Sequence, residues 1–221
     1  MQIAIDGPAS SGKSTVAKLL AKNLGYIYCD TGAMYRAVTL LVLRNKVSLN
    51  DENKIIKLIK NSKINFNYKD DEQIICLNHE NITEEIRHSY VTKNVSQVSS
   101  LPGVRKELVL RQQKIAKNKD IVMDGRDIGT TVLPNAQVKI YLFASIDERA
   151  KRRYLENMQK NINIPLDVLK KNIINRDYKD SHRKVSPLKK ANNAVELDTT
   201  DLTINEVIDK IIEIVNNTYI N

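Results

Sequence analysis

The residues best placed to do chemistry open the chain. Gly7-Pro8-Ala9-Ser10-Ser11-Gly12-Lys13-Ser14 has the form G-x-x-x-x-G-K-S/T, a loop that wraps the β-phosphate of a nucleotide in backbone N–H groups. Gly7 and Gly12 allow backbone conformations and close approaches that a Cβ would obstruct. Lys13 reaches toward β- and γ-phosphates, and the Ser14 hydroxyl can ligate the Mg²⁺ that neutralises them. The setting agrees with the motif: the apolar run Gln2 to Asp6 reads as a strand, and Thr15 to Leu24 reads as an amphipathic helix stopped by Gly25.

Three further clusters carry charge. Arg149, Arg152 and Arg153 stand at i, i+3 and i+4, so their guanidinium groups share a helix face. Like charges so placed suit either a solvated surface or an incoming oligophosphate, whose oxygens arginines bind in pairs. Arg176, Asp180 and Arg183 stand at i, i+4 and i+7, again on one face, where an ordinary surface ion-pair row is the competing reading. In Asp30-Thr31-Gly32-Ala33-Met34-Tyr35-Arg36, Thr31 is expected to cap the following helix and Arg36 to clamp a phosphate near its N-terminus.

The elements that must position these groups alternate between strand and helix, which implies a parallel sheet with helices on both faces. Tyr26–Asp30 reads as the second strand, Met34 to Arg44 as a helix, and Asp51 to Ile59 as another with Asn50 as its cap. From Lys63 to about Glu80 the rhythm breaks: Ile64–Tyr68 and Ile74–Leu77, joined by a turn at Lys69–Glu72, predict a small antiparallel insertion. Helices resume over Tyr90 to Ser99 and, after Pro102, over Val104 to Lys117. Ile121–Asp124, Val138–Leu142 and Ala194–Asp198 complete the strands, with Gly125-Arg126-Asp127 just beyond a strand's carboxyl end, where open α/β sheets place ligands. Ser145-x-x-Glu148 and Thr203-x-x-Glu206 form capping boxes for two more helices.

Composition narrows the function. A chain of 221 residues can bury a full core, and its formal charge of +9 favours an anionic partner without naming one. No apolar run approaches membrane-spanning length and no signal segment opens the chain, so a cytoplasmic location and no membrane partner are expected. Cys29 and Cys76 lie far apart with no C-x-x-C, and His79, His88 and His182 are isolated, which gives no basis for zinc. A nucleic-acid partner is not expected, because basic stretches lack interleaved aromatics and there are only two Phe and no Trp. A GTPase is disfavoured because Asn118-Lys119-Asp120 sets its Asp one place too early for N-K-x-D.

Taken in order, Ile5-Asp6-Gly7-Pro8 through Thr15, Asp30 to Arg36, Ser96-Gln97-Val98, Val104-Arg105, Asp124-Gly125-Arg126-Asp127-Ile128-Gly129-Thr130 and Arg176-Asp177-x-x-Asp180-x-x-Arg183 resemble the bacterial cytidylate kinases. These are nucleoside monophosphate kinases with a phosphate loop, and the resemblance runs over essentially the whole chain. It implies an α/β fold with a central parallel sheet flanked by helices, a small antiparallel insertion and a short helical lid. One kinase domain is then expected over 1–221, with its core at about 1–36, 86–148 and 166–221, its monophosphate-binding insertion at about 37–85 and its lid at about 149–165.

The implied reaction moves the γ-phosphoryl group of ATP, with Mg²⁺, to CMP or dCMP, in a monomer. By resemblance, Gly7, Pro8, Ala9, Ser10, Ser11, Gly12, Lys13, Ser14 and Thr15 hold ATP. Thr31 and Arg36 help hold the acceptor's phosphate, with Arg126 near it. Ser96, Arg105, Asp127 and Arg183 surround the cytosine, and Arg176 and Asp180 reach the sugar. Lys13, Arg126, Arg149, Arg153 and Asp124 form the catalytic set, Asp124 orienting the water shell of a Mg²⁺ on Ser14. Kinases for UMP, AMP or dTMP share the loop and lid and differ in the base readers.

Overall fold

The computed structural model describes residues 1–69, 72–159 and 161–220. In chain order the strands and helices are β1 (Gln2–Asp6), α1 (Lys13–Leu24), β2 (Ile27–Asp30), α2 (Thr31–Arg44), α3 (Glu52–Lys60), β3 (Ile64–Lys69), β4 (Glu72–Leu77) and β5 (Glu80–Asn81). There follow α4 (Ser89–Thr92), α5 (Val95–Ser100), α6 (Pro102–Ala116), β6 (Ile121–Gly125), β7 (Val138–Phe143), α7 (Ile146–Gln159), α8 (Leu166–His182), β8 (Val195–Asp198) and α9 (Ile204–Ile220). They divide into two compact units, one of Met1–Tyr28 with Asn118–Asn221 and one of Cys29–Lys117.

A five-stranded sheet in the order β2-β6-β1-β7-β8 lies in the first unit except for Cys29-Asp30 at the end of β2. β1 pairs in parallel with both β6 and β7, and β7 with β8. Helices cover such a sheet on both faces, so its central strands are apolar on both sides rather than alternating. On one face Ile3, Ile5, Val122, Ile140 and Leu142 pack with Val16, Ala17 and Leu20 of α1 and with Val207, Ile208, Ile211 and Val215 of α9. Each such fully buried aliphatic side chain stabilises the fold by about 1.5–3 kcal/mol. A smaller cluster of Ala9, Ala150 and Ile173, with Ile146 against it, seats the glycine-rich loop on α7 and α8.

Both expected capping boxes open helices, though unequally. Thr203 and Glu206 exchange bonds fully: the Thr203 N–H donates to Glu206 Oε2 at 2.8 Å and the Glu206 N–H to Thr203 Oγ1 at 3.3 Å. At α7 only half the box forms. The Glu148 N–H donates to Ser145 Oγ at 3.2 Å, but the Glu148 carboxylate turns to Arg152 instead.

In the second unit α2 is the organising helix, with Met34, Ala37, Val38, Leu40 and Val42 buried. The expected antiparallel insertion is present, as a sheet in the order β3-β4-β5. Its third strand is two residues long and escapes any periodicity argument. The turn expected at Lys69–Glu72 falls in part on residues 70–71, outside the described residues. Arg44, at the end of α2, pairs with Glu80 of β5 and with Glu85.

Three sequence expectations change here. Asp30, not Thr31, caps α2: its carboxylate accepts the Ala33 N–H at 2.7 Å, and Thr31 becomes the first helical residue. Asp51, not Asn50, caps α3, because Asn50 Oδ1 instead accepts from Gln97 Nε2 at 2.7 Å. The helix expected over Tyr90 to Ser99 is two short ones, α4 and α5, broken at Lys93-Asn94; the Asn94 side chain donates to the Tyr90 carbonyl at 2.8 Å.

Candidate active site

The site of the first unit gathers at the carboxyl ends of β1 and β6. The chain leaves β1 at Gly7 with φ at 152°, and a Cβ built there would lie 1.9 Å from the backbone oxygen of Leu142. No side chain can be accommodated against a fixed backbone at that range, so this position requires glycine. Gly12, at φ 88°, turns the loop into α1, which presents the first N–H groups of α1 to an anion. Ser10 shares the left-handed region at φ 59°.

The loop is closed on itself. Lys13 Nζ donates to the Pro8 carbonyl at 2.5 Å and to Ser11 Oγ at 3.1 Å, and the Ser11 hydroxyl donates to the same carbonyl at 3.1 Å. Burial pushes the Lys13 ammonium well below its ordinary range, and the positive charges of Arg126 and Arg176 push it further, against the pull of Asp124 and Asp177. A buried cation beside two more cations is a cluster that an entering polyanion relieves. Ser14 and Thr15 lie exposed at the start of α1.

Asp124 is buried at the end of β6 and held by two hydroxyls. Ser14 Oγ donates to Asp124 Oδ2 at 2.7 Å and Tyr28 Oη to Oδ1 at 2.9 Å. A hydroxyl and a carboxylate side by side are hard oxygen donors of the kind Mg²⁺ takes, one or two from protein and the rest from phosphate and water. The residues present therefore fit that ion. Among the described residues no group of three or more His, Cys, Asp or Glu could hold a metal alone.

Of the three arginines at the start of α7, each has its own partner. Arg149 is buried: its guanidinium donates to the Ala9 carbonyl at 3.0 Å and the Ala144 carbonyl at 3.1 Å, and it pairs with Asp177. Arg152 donates to Glu148 at 2.9 Å and to Thr199 Oγ1 at 3.1 Å, and Arg153 to Glu156 at 2.9 Å. Asp177 in turn accepts the Ala9 N–H at 2.8 Å, so both backbone groups of Ala9 are gripped by one ion pair. The segment 161–165 after α7 is irregular, and residue 160 is outside the described residues.

A second charged row follows β6. Arg126 Nε donates to Asp180 Oδ2 at 3.0 Å, Arg183 Nη1 lies 3.8 Å from Asp180 Oδ1, and Arg183 Nη2 lies 3.5 Å from Asp127 Oδ1. Burial raises the Asp180 carboxyl, but Arg126, Arg176 and Arg183 outweigh it and hold the group below the usual carboxylate range. Beyond Asp127 the chain makes a π-turn at Ile128–Val132, which no sequence signal announces. Its first two N–H groups, of Ile128 and Gly129, donate to the buried carboxylate of Asp6 at 2.8 and 2.7 Å.

The second unit holds the remaining candidates. Thr31 is buried at the start of α2, and Arg36 Nη2 pairs with Asp30 at 2.9 Å while its buried Nε has no hydrogen-bond partner among the described residues. Arg105 is fully buried, stacks its guanidinium 5.1 Å from the centre of the Tyr35 ring and donates to the Ser99 carbonyl at 3.1 Å. Ser96 is half-buried on α5, and its carbonyl accepts from Ser99 Oγ.

Asp6, Tyr28 and Asp177 have no role in the sequence reading. Asp177 had a signal: it follows the buried Ile173 by four residues on α8 and so shares the face that meets Ala9. Asp6, at the end of β1, and Tyr28, inside β2, had none.

The strand order, the loop and its following helix define the phosphate-loop kinase fold. Solved structures agree: an uncharacterised protein from Eubacterium ventriosum matches with a TM-score of 0.54 at 12% identity, covering 98% of each chain. The shikimate kinase of Bacteroides thetaiotaomicron matches with a TM-score of 0.50 at 12% identity, also over 98% of each. Family models go further, the one described as cytidylate kinase matching residues 3–217. The chain is 59% identical over 215 residues to the cytidylate kinase of Ligilactobacillus salivarius, covering 97% of this chain and 96% of that one. It is 55% identical over 216 residues to that of a Geobacillus species, covering 98% and 96%. This chain belongs to the cytidylate kinase family.

Proposed function

We propose that this protein transfers the γ-phosphoryl group of ATP to CMP or dCMP, forming ADP and CDP or dCDP. The observation that carries the reading is the amide-lined loop that Gly7 and Gly12 bend into the start of α1, with the buried Lys13 bonded back to its Pro8 carbonyl and the half-buried Arg126 and Arg176 adding positive charge nearby. Transfer between two polyanions needs their repulsion offset and their reacting atoms held in line, and these groups supply the charge. In this reading Gly7 to Thr15 cradle the donor, and Lys13 leaves the Pro8 carbonyl for the β- and γ-phosphates. Mg²⁺, held through Ser14 and the triphosphate with Asp124 turned to its water shell, would spread the charge on the β- and γ-oxygens. No protein base is required, because the acceptor phosphate is already largely ionised near neutral pH.

The acceptor roles follow the family resemblance. Thr31 and Arg36 take its phosphate, with Arg126; Ser96, Arg105, Asp127 and Arg183 take the cytosine; Arg176 and Asp180 take the sugar. Asp127 accepts from the N4 amine, where uracil would present another acceptor and leave buried groups unpaired. Arg149, Arg152 and Arg153 border a lid at about 149–165, with 37–85 serving as the monophosphate-binding insertion. The lid keeps water from acting as acceptor. The working form is a cytoplasmic monomer acting on small nucleotides; among the described residues no helix is long and apolar enough to cross a membrane.

The experiment is ATP consumption with and without CMP at fixed Mg²⁺. CMP should raise the rate strongly over ATP alone. Equal consumption in both would make the protein a phosphate-loop ATPase.

A further inference from the structure

β1 ends in a buried carboxylate whose hydrogen bonds go to the turn beyond β6. Asp6 is 4% exposed, and each of its oxygens accepts one backbone N–H of the turn beyond β6, Ile128 at 2.8 Å and Gly129 at 2.7 Å. These are the two residues immediately after Asp127. The Asp127 carbonyl accepts the N–H groups of Thr131 and Val132 at 2.9 and 3.2 Å, so the turn closes on itself around that residue. Asp6 also stands opposite Gly125 in the parallel register of β1 and β6, which fixes the base of the same turn. The tether is close on its other side. A Cβ at Gly129 would lie 3.4 Å from Asp6 Oδ2, 3.2 Å from Lys139 Cδ and 3.5 Å from Ala191 Cβ.

A buried carboxylate is costly to keep, and here burial, with the nearby charge of Asp127, raises its pKa to about 6 against the lowering effect of those two N–H groups. An uncharged side chain would avoid that cost. Only an ionised carboxylate offers two acceptor oxygens and no donor to a pair of adjacent N–H groups; an amide offers one acceptor and an NH₂ that faces the second N–H.

We propose that Asp6 is a positioning residue for recognition of the acceptor base: by holding the N–H groups of Ile128 and Gly129 from the end of β1, it sets the backbone on which the Asp127 carboxylate stands. The inference rests on the assignment of Asp127 to cytosine made above. It also gives one side chain two neighbours of different function, since the residue after Asp6 begins the donor loop.

The test uses the full chain with Asp6→Asn and, from the other side of the tether, Gly129→Ala, which leaves the Asp6 side chain in place but sets a methyl group against Asp6 Oδ2 and Lys139 Cδ. Hydrogen exchange of the Ile128 and Gly129 amides in nucleotide-free protein reads the tether, and steady-state kinetics with CMP, UMP and ATP read its consequence. In Asp6→Asn, exchange at these amides should rise about tenfold or more. KM for CMP should rise about tenfold and the CMP-over-UMP ratio of kcat/KM fall about fivefold or more, with KM for ATP within about twofold of wild type. Gly129→Ala should give the same pattern, smaller in size, and it decides the matter if Asp6→Asn does not fold.

A discriminating wild type whose CMP-over-UMP ratio survives both substitutions would overturn the proposal alone, as would KM values for ATP and CMP that rise together. A wild type indifferent between CMP and UMP would overturn the assignment of Asp127 and the proposal with it.

Discussion

Removing the carboxylate of Asp177 should loosen the glycine-rich loop at Ala9 by an amount the contacts set. Asp177 pairs with Arg149 and accepts the Ala9 N–H at 2.8 Å, and the two side chains are 19% and 10% exposed. Breaking a buried pair from one side costs about 3–5 kcal/mol. Arg149 keeps the Ala9 and Ala144 carbonyls as acceptors, and Asp177 is partly solvated, so about 2 kcal/mol is the better figure for the lost charge. Asp177→Asn removes that charge but keeps an acceptor for the Ala9 N–H. Asp177→Ala removes both, and an unmade buried hydrogen bond adds about 1 kcal/mol. For a chain of this size the alanine variant should then melt roughly 6–12 °C below wild type, with the asparagine variant between them. Because the lost contacts lie on the loop, KM for ATP should rise severalfold while KM for CMP stays near wild type. Calorimetry and initial-rate kinetics on the two variants check this. Wild-type melting and KM for ATP in Asp177→Ala would refute the reasoning, and so would an asparagine variant as damaged as the alanine one.

Lys13→Ala should lower kcat by about a hundredfold or more while leaving the melting temperature close to wild type, because it deletes a charge the fold holds at a cost; unchanged turnover in a coupled assay would remove Lys13 from the chemistry. Asp127→Asn should narrow the CMP-over-UMP preference by about 10- to 100-fold, the worth of one base-edge contact, and an untouched preference in the same assay would show that another group reads the base. The Asp6 carboxyl, raised from 3.8 to about 6, stabilises the fold fully below its unfolded pKa and loses that contribution as pH climbs through about 6, some 3 kcal/mol in all. Asp6→Asn has no such titration, so urea denaturation should show it gaining on wild type by up to about 3 kcal/mol between about pH 4 and pH 7; a pH-independent difference would contradict the burial argument.

The glycine-rich loop was legible in the sequence because its constraints are local: Gly7 and Gly12 hold positive φ values that the spacing of the motif announces. The parallel sheet was legible because strands buried on both faces leave apolar runs such as Ile121–Met123. What escaped depends on contacts across long stretches of chain. Periodicity places Arg149 on a helix face with Arg152 and Arg153, but cannot show that the Ala9 carbonyl and Asp177 hold it apart from them. Nor can it show that Asp6 reaches the N–H groups of Ile128 and Gly129. The caps of α2 and α3 each shift by one residue, because Asp30-Thr31 and Asn50-Asp51 both offer two capable side chains: Asp30 takes the Ala33 N–H at α2, and the tertiary bond from Gln97 occupies Asn50 at α3. The π-turn after Asp127 has no composition of its own, since an external carboxylate rather than a local propensity satisfies its first N–H groups.

The most direct test of the assigned activity is a coupled assay with ATP and Mg²⁺ in which CMP, dCMP, UMP and AMP are offered separately as acceptors and the diphosphate products are identified. CMP and dCMP should be converted to CDP and dCDP at far higher kcat/KM than UMP or AMP. Preferential conversion of UMP or AMP, or ADP released with no diphosphate formed from CMP, would contradict it.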